Sequence, residues 1–197
     1  MRIWNSIKKF LLKDKWKEDE NSVYFHEDSF CQVEFLPTEN LFQLKKENGK
    51  IKDFSKKHLD GNGFTDIYQR SEIKIKIIDR EIVFNELDLL IKELGFKRID
   101  KVYEGYGSTS WKCKGCFVYI LNEAKIFVSK KDFKVIEFWV DEFRFFEEEN
   151  IKNILAKALF EVGNKYNLIL NDWNLTATID LKNKERIRQY LNEEIEN

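Results

Sequence analysis

The hydrophobic period of this chain switches repeatedly between about 3.6 and about 2 residues, which rules out an all-helical or all-strand architecture. Helical spacing is clearest at Ile151, Ile154, Leu155, Ala158, Leu159 and Val162, which recur at i, i+3, i+4, i+7, i+8 and i+11. Glu147 to Glu149 precede them, where a helix dipole favours anions. A second helix is predicted from an Asn85 cap through Leu87, Leu90, Ile91 and Leu94, and Gly95 followed by Phe96 fits a Schellman-type stop. Strand spacing appears where Ile73, Ile75 and Ile77 alternate with Lys74 and Lys76. Residues 96–105, 116–121, 125–129 and 133–140 read as successive strands, with turn signals at Gly107-Ser108, Asn122-Glu123 and Lys130 to Asp132. An antiparallel meander is the economical arrangement.

The rest of the chain is consistent with this pattern. Ile3, Trp4, Ile7, Phe10 and Leu11 predict a basic amphipathic helix over 3–16, read as a cover for a sheet rather than a membrane-surface element. Val23 to Leu36 reads as two short strands or one hairpin. Thr38 is a candidate cap for a helix carrying Leu41, Leu44, Ile51 and Phe54 as far as Leu59. Leu168 to Leu170 and Thr176 to Ile179 form an expected hairpin around 171–174, and a terminal helix over 183–196 places Ile187, Tyr190, Leu191 and Ile195 on one face. No repeat or linker divides the chain. The expectation is one α+β domain over 1–197, a mainly antiparallel sheet flanked by several helices.

Composition narrows the chemistry. A chain of 197 residues buries roughly 70% of its unfolded surface and needs no covalent staples. Three cysteines suit a reducing compartment, no apolar run reaches a membrane span, and Phe10 to Leu12 is too short for a secretory signal, so the cytoplasm is expected. Only two histidines, His26 and His58, accompany 15% aromatic and 35% charged residues. That inventory is poor for catalysis and rich for contact with another macromolecule.

The individual motifs agree. Cys113-Lys114-Gly115-Cys116 has CxxC spacing, but a zinc site needs two further ligands and a redox motif opens a helix, whereas a strand is expected from Cys116. Neither Ser108 nor Ser110 sits in a nucleophile elbow. Gly61 and Gly63 lack the third glycine of a dinucleotide fingerprint and the Gly-Lys-Ser/Thr of a phosphate loop. Lysines 8, 9, 13, 15 and 17 are set against a net charge of -1 and no nucleic-acid recognition motif, so nucleic acid is not an expected partner. No cofactor and no metal are expected. The most pointed stretch, Asp141 to Glu149, interleaves phenylalanines with carboxylates and has two readings: a surface for a basic partner, or a helix start whose phenylalanines enter the core.

Cys31 to Asn40, Gly61 to Tyr68, Val102 to Tyr106, Ile136 to Val140 and Asn171 to Trp173 together resemble a group of bacterial immunity proteins. These are encoded beside polymorphic or contact-dependent growth inhibition toxins in interbacterial competition and neutralise them by direct binding in the cytoplasm. The resemblance implies a stoichiometric inhibitor without turnover, whose partner is a toxin's C-terminal domain; an acidic gripping surface would suit a nuclease. The gripping residues expected are Asp60, Phe64, Asp66, Tyr68, Glu104, Tyr106, Trp139, Asp141, Glu142, Phe145, Glu147, Asp172 and Trp173. The alternatives are a small carboxylate-dependent hydrolase or nucleic-acid-processing enzyme, marked by acids clustered in a cleft, and an adaptor for a partner that is not a toxin.

Overall fold

The computed structural model describes residues 21–61, 63–105, 109–141, 143–144 and 146–195. The expected helix over 3–16 and the Gly107-Ser108 turn lie outside them. A seven-stranded sheet dominates, in the order β12 (Ala177–Asp180), β11 (Leu168–Asp172), β2 (Val33–Pro37), β10 (Lys134–Asp141), β9 (Ala124–Lys131), β8 (Cys116–Leu121), β5 (Lys97–Ile99). Every neighbouring pair is antiparallel. The expected meander is its centre: β8, β9 and β10 turn at Asn122 and Asp132, both left-handed at φ 53° and 55°, a conformation Asn and Asp tolerate better than most residues.

Alternation along the strands gives the sheet two apolar faces. Phe35, Tyr119, Ile126, Val128, Phe138, Val140, Leu168 and Leu170 enter one core, packed by α2 (Phe84–Glu93), α3 (Glu149–Tyr166) and α4 (Lys184–Leu191). On the opposite face, α1 (Leu41–His58) brings Leu44 against Leu36, Ile169 and Trp173. Beside it a small sheet of β1 (Ser22–Phe25), β6 (Lys101–Glu104) and β7 (Trp111–Lys112) lays Val23, Phe25 and Val102 on Val118, Phe127 and Trp139. The α+β class and the mainly antiparallel sheet are therefore as expected. Among the described residues no helix is long and apolar enough to cross a membrane.

Several local expectations are overturned. Of the two readings of 23–36, the two short strands form and the hairpin does not, because β1 pairs in parallel with β6 while β2 enters the large sheet. The stretch expected as one strand over 96–105 splits at Asp100 into β5 and β6, which belong to different sheets. Ile73 to Ile77 forms no strand. Asn40 takes up both backbone groups of Ile75 and Gln43 donates to the Glu72 carbonyl, so side chains at the start of α1 satisfy this backbone without a ladder. The Thr38 hydroxyl donates to the Asn167 carbonyl and caps nothing. α2 starts at Phe84 with Val83 before it, so Asn85 is no cap, although its end is the Schellman arrangement: Phe96 N–H to Ile91 C=O and Gly95 N–H to Lys92 C=O. Asn183 caps α4 through the amides of Glu185 and Arg186, and that helix ends at Leu191, short of 196.

Candidate interaction surface

α1 runs along the sheet in the direction of β11. Leu44 sits among Leu36 and Ile169, and one turn later the Asn48 amide donates to Asn171 and Thr178 (3.0 Å each). Its last turn therefore points past the end of the sheet where β11 stops at Asp172. There the chain forms a short hairpin of β3 (Leu59–Asp60) and β4 (Gly63–Phe64), with Leu59 opposite Phe64 and Asp60 opposite Gly63. Gly63 has φ 125°, which side-chain-bearing residues rarely adopt. The cross-strand pair faces outward: Leu59 is 57% exposed, Phe64 62% and the following Ile67 91%. Asp60 and Asp66 are exposed beside them.

This apolar patch is mounted firmly. Thr65 donates twice to the His58 carbonyl, from its N–H (2.8 Å) and its hydroxyl (3.1 Å), tying the hairpin to the helix end. Phe54 stacks on His58 at 4.2 Å between centroids and meets Tyr68 edge-on at 5.3 Å. One turn and more up the helix, the buried Glu47 carboxylate accepts from the Tyr68 hydroxyl (3.0 Å), the Ser71 N–H (2.8 Å), the Ser71 hydroxyl (3.0 Å) and Lys50 (3.2 Å). Burial pushes this carboxyl up, but the donors outweigh it and leave the pKa at about 2. Burial and the Glu47 carboxylate in turn push the Tyr68 phenol up. Tyr68 thus works as an anchor of the returning chain, half-buried rather than presented outward.

The remaining expected contact residues divide. Trp139 and Asp172 are fully buried and Trp173 nearly so, because β10 and β11 are interior strands covered on both faces; exposed roles for these three are corrected to core roles. Trp139 stacks on Phe127 at 3.8 Å. Asp172 accepts from Leu175 N–H (2.9 Å) and the Tyr190 hydroxyl (3.0 Å) and pairs with Arg144 (3.4 Å). The Trp173 indole donates to Glu34 at 2.7 Å, with the Arg70 guanidinium over its ring. Asp141 is half-buried and paired with Lys125 (3.7 Å). Glu147 is exposed, but Phe143 and Phe146 beside it are buried, and Glu142, Phe145 and Tyr106 lie outside the described residues. Glu104 accepts from the half-exposed Trp111 at 2.9 Å. It sits near Cys113 on the small sheet, where its registered partner Phe25 packs on Trp139. The structure thus gathers Asp60, Phe64, Asp66 and Tyr68, and leaves Glu104 apart on β6 of the small sheet.

Two polar clusters were not foreseen. β2 and β10 share one registered pair, Trp139 with Glu34, and then part around a cavity of about 390 Å³ lined by Cys31, Glu34 and Glu137 among apolar walls that include Phe30, Ile73 and Ile136. Burial pushes the Glu34 carboxyl above the usual range, although the Trp173 donor and Arg70 oppose it. On the other face Asp88 accepts from Tyr119 (2.7 Å), Lys92 (2.8 Å) and Arg98 (3.0 Å), an anchor of α2 to the sheet. Glu34 and Glu137, and Asp88 and Tyr119, are far apart in sequence, so no local spacing marks them; only Lys92 and Arg98 lie within ten residues of Asp88. Cys113 and Cys116 flank a turn at Gly115 (φ 74°) leading into β8. Burial pushes the Cys116 thiol up to about 12, opposite to the shift a redox or metal-binding thiolate requires. Among the described residues no group of His, Cys, Asp and Glu is arranged to hold a metal ion. Comparison with known proteins finds no matching family model, no matching curated protein and no matching solved structure.

Proposed function

We propose that this chain is a cytoplasmic binding protein that neutralises a protein toxin by covering its surface, as the immunity proteins it resembles do, and that the hairpin over 59–68 is its grip. One observation carries the reading: Leu59 and Phe64 stand exposed as a cross-strand pair, with exposed Ile67 three residues on, and Thr65, Tyr68 and Ser71 tie the returning chain to α1. Clustered large apolar groups in water are unfavourable for a monomer and are the usual centre of a protein interface. Fixing the hairpin in advance lowers the ordering cost of binding, and Asp60 and Asp66 at its rim favour approach to a basic surface. The test is co-expression with the domain encoded immediately upstream of this gene. The wild-type chain restores growth and the Leu59→Asp/Phe64→Asp chain does not; full protection by the double variant would refute the grip.

The enzyme alternative has an observation of its own. Glu34 and Glu137 line one apolar-walled cavity, and burial raises Glu34, the kind of setting that lets a carboxylic acid donate a proton at neutral pH. Steady hydrolysis by the purified chain that disappears in Glu34→Gln would establish it, and would displace the binding reading.

A further inference from the structure

α3 and α4 pack side by side and antiparallel. Lys152, near the start of α3, donates to Asn192 just beyond α4 (3.0 Å), while Lys184, at the start of α4, lies 4.3 Å over the Phe160 ring near the end of α3. Between them run two adjoining concavities of about 310 and 390 Å³, which share Asn153, Ala156 and Arg188. The small side chain of Ala156 opens the middle of this groove.

Its charges are arranged in an order. Lys152, Lys157, Lys184 and Arg188 line the groove, and among the described residues none of them has a carboxylate partner. Glu161 borders one concavity and Glu149 the other. Twelve positions apart on one helix, these carboxylates stand about 18 Å from each other along the axis. Lys157 and Arg188 stand in the middle, with Lys184 level with Phe160 and Lys152 level with Asn192, and a row of cations closed by a carboxylate at each end suits an anion that stops within that length. The phosphates of a long nucleic acid would have to continue past Glu149 or Glu161. Arg188 can take phosphate oxygens through its planar fork, the lysines supply point charges, and Ala156 and Phe160 offer an apolar floor.

We propose that the α3–α4 groove binds a short oligophosphate, free or carried on a nucleoside. The site is independent of the 59–68 hairpin. Calorimetric titration of the full chain with inorganic tripolyphosphate, ATP and adenosine, at constant ionic strength, tests it. Tripolyphosphate is expected to saturate with a Kd below about 1 mM, and Lys157→Glu/Arg188→Glu to weaken it at least about 10-fold. ATP binding tighter than tripolyphosphate assigns the nucleoside form; equal or weaker binding, with adenosine silent, assigns the free form. The double variant sets like charges beside Glu161 and Glu185 on exposed helix faces, so its thermal midpoint is expected to fall by only about 1–3 °C. Should it fail to fold, Ala156→Met, which narrows the groove without touching charge, is expected to show the same loss of binding. Growth protection is expected to be unchanged in either variant, which separates this site from the hairpin. Three results would overturn the proposal: no saturation by tripolyphosphate or ATP, equal affinity in the variants, or a single-stranded oligonucleotide of roughly 20 nucleotides binding more tightly than either and losing its binding in Lys157→Glu/Arg188→Glu.

Discussion

The hairpin over 59–68 and the segment over 141–149 are built from the same ingredients, aromatic and aliphatic side chains set among carboxylates, and the fold turns them in opposite directions. In the second, Phe143 and Phe146 go inward beneath the start of α3, Asp141 is paired with Lys125, and the exposed acids are left on a helix end. In the first, Leu59, Phe64 and Ile67 go outward, and the burial falls instead on Phe54, Glu47 and Tyr68 behind them. Composition alone does not separate a core lining from a contact surface. What separates them is whether the segment lies between a sheet and a helix or projects beyond both.

The sharpest way to break this contrast is by truncation. Phe143→Ala is expected to cost about 3–5 kcal/mol of unfolding free energy, whereas Phe64→Ala should cost less than about 0.5 kcal/mol; urea denaturation of the two variants checks both. Similar losses would mean that the two segments do not differ as described.

Glu47 gives the next largest effect. Glu47→Ala leaves the Ser71 and Tyr68 donors without their acceptor and is expected to cost about 2–3 kcal/mol. Because its folded pKa, about 2, lies below the ordinary value of 4.5, its contribution is complete above pH 4.5 and disappears as the pH falls from there through about 2. The wild-type chain should therefore lose stability across that window more steeply than Glu47→Ala. Glu34 carries the opposite sign. Its raised pKa means that its favourable contribution exists below pH 4.5 and is lost as the pH rises through the folded value, so Glu34→Gln is expected to raise stability at pH 7 by up to about 1 kcal/mol.

Binding changes follow. Phe64→Asp should weaken the complex by about 2 kcal/mol or more, chiefly through faster release, with little change in stability. Asp66→Asn at the rim should slow association only about 2- to 5-fold and reduce its salt dependence, as stopped-flow mixing at two salt concentrations would show.

How much of this could be read from the sequence follows from where each segment's partners lie. The periodic helices α2 and α3, the Schellman stop at Gly95 and the β8–β9–β10 meander depend on neighbours within a few residues or on adjacent strands. The alternating isoleucines at 73, 75 and 77 carry the same signal as a strand, yet Asn40 takes up both backbone groups of Ile75 and Gln43 donates to the neighbouring Glu72 carbonyl, each from more than twenty positions away. Of the site, Asp60, Phe64 and Asp66 were legible because a glycine-bearing turn with large apolar neighbours is marked locally. Trp139, Asp172 and Trp173 read as exposed from sequence but are interior, since which strands end up interior depends on sheet order. Leu59 and Ile67 went unnoticed because exposure of an aliphatic residue leaves no local mark, and the Glu34–Glu137 cavity because it arises where two strands distant in sequence part.

Amide hydrogen exchange across the whole chain, alone and mixed with the proposed toxin partner, tests the central claim most directly. Slowed exchange is expected over 59–68, with the amides of 141–149 unchanged. Protection confined to the cavity between β2 and β10, or no protection at the hairpin in a mixture that forms a stable complex, would contradict the account.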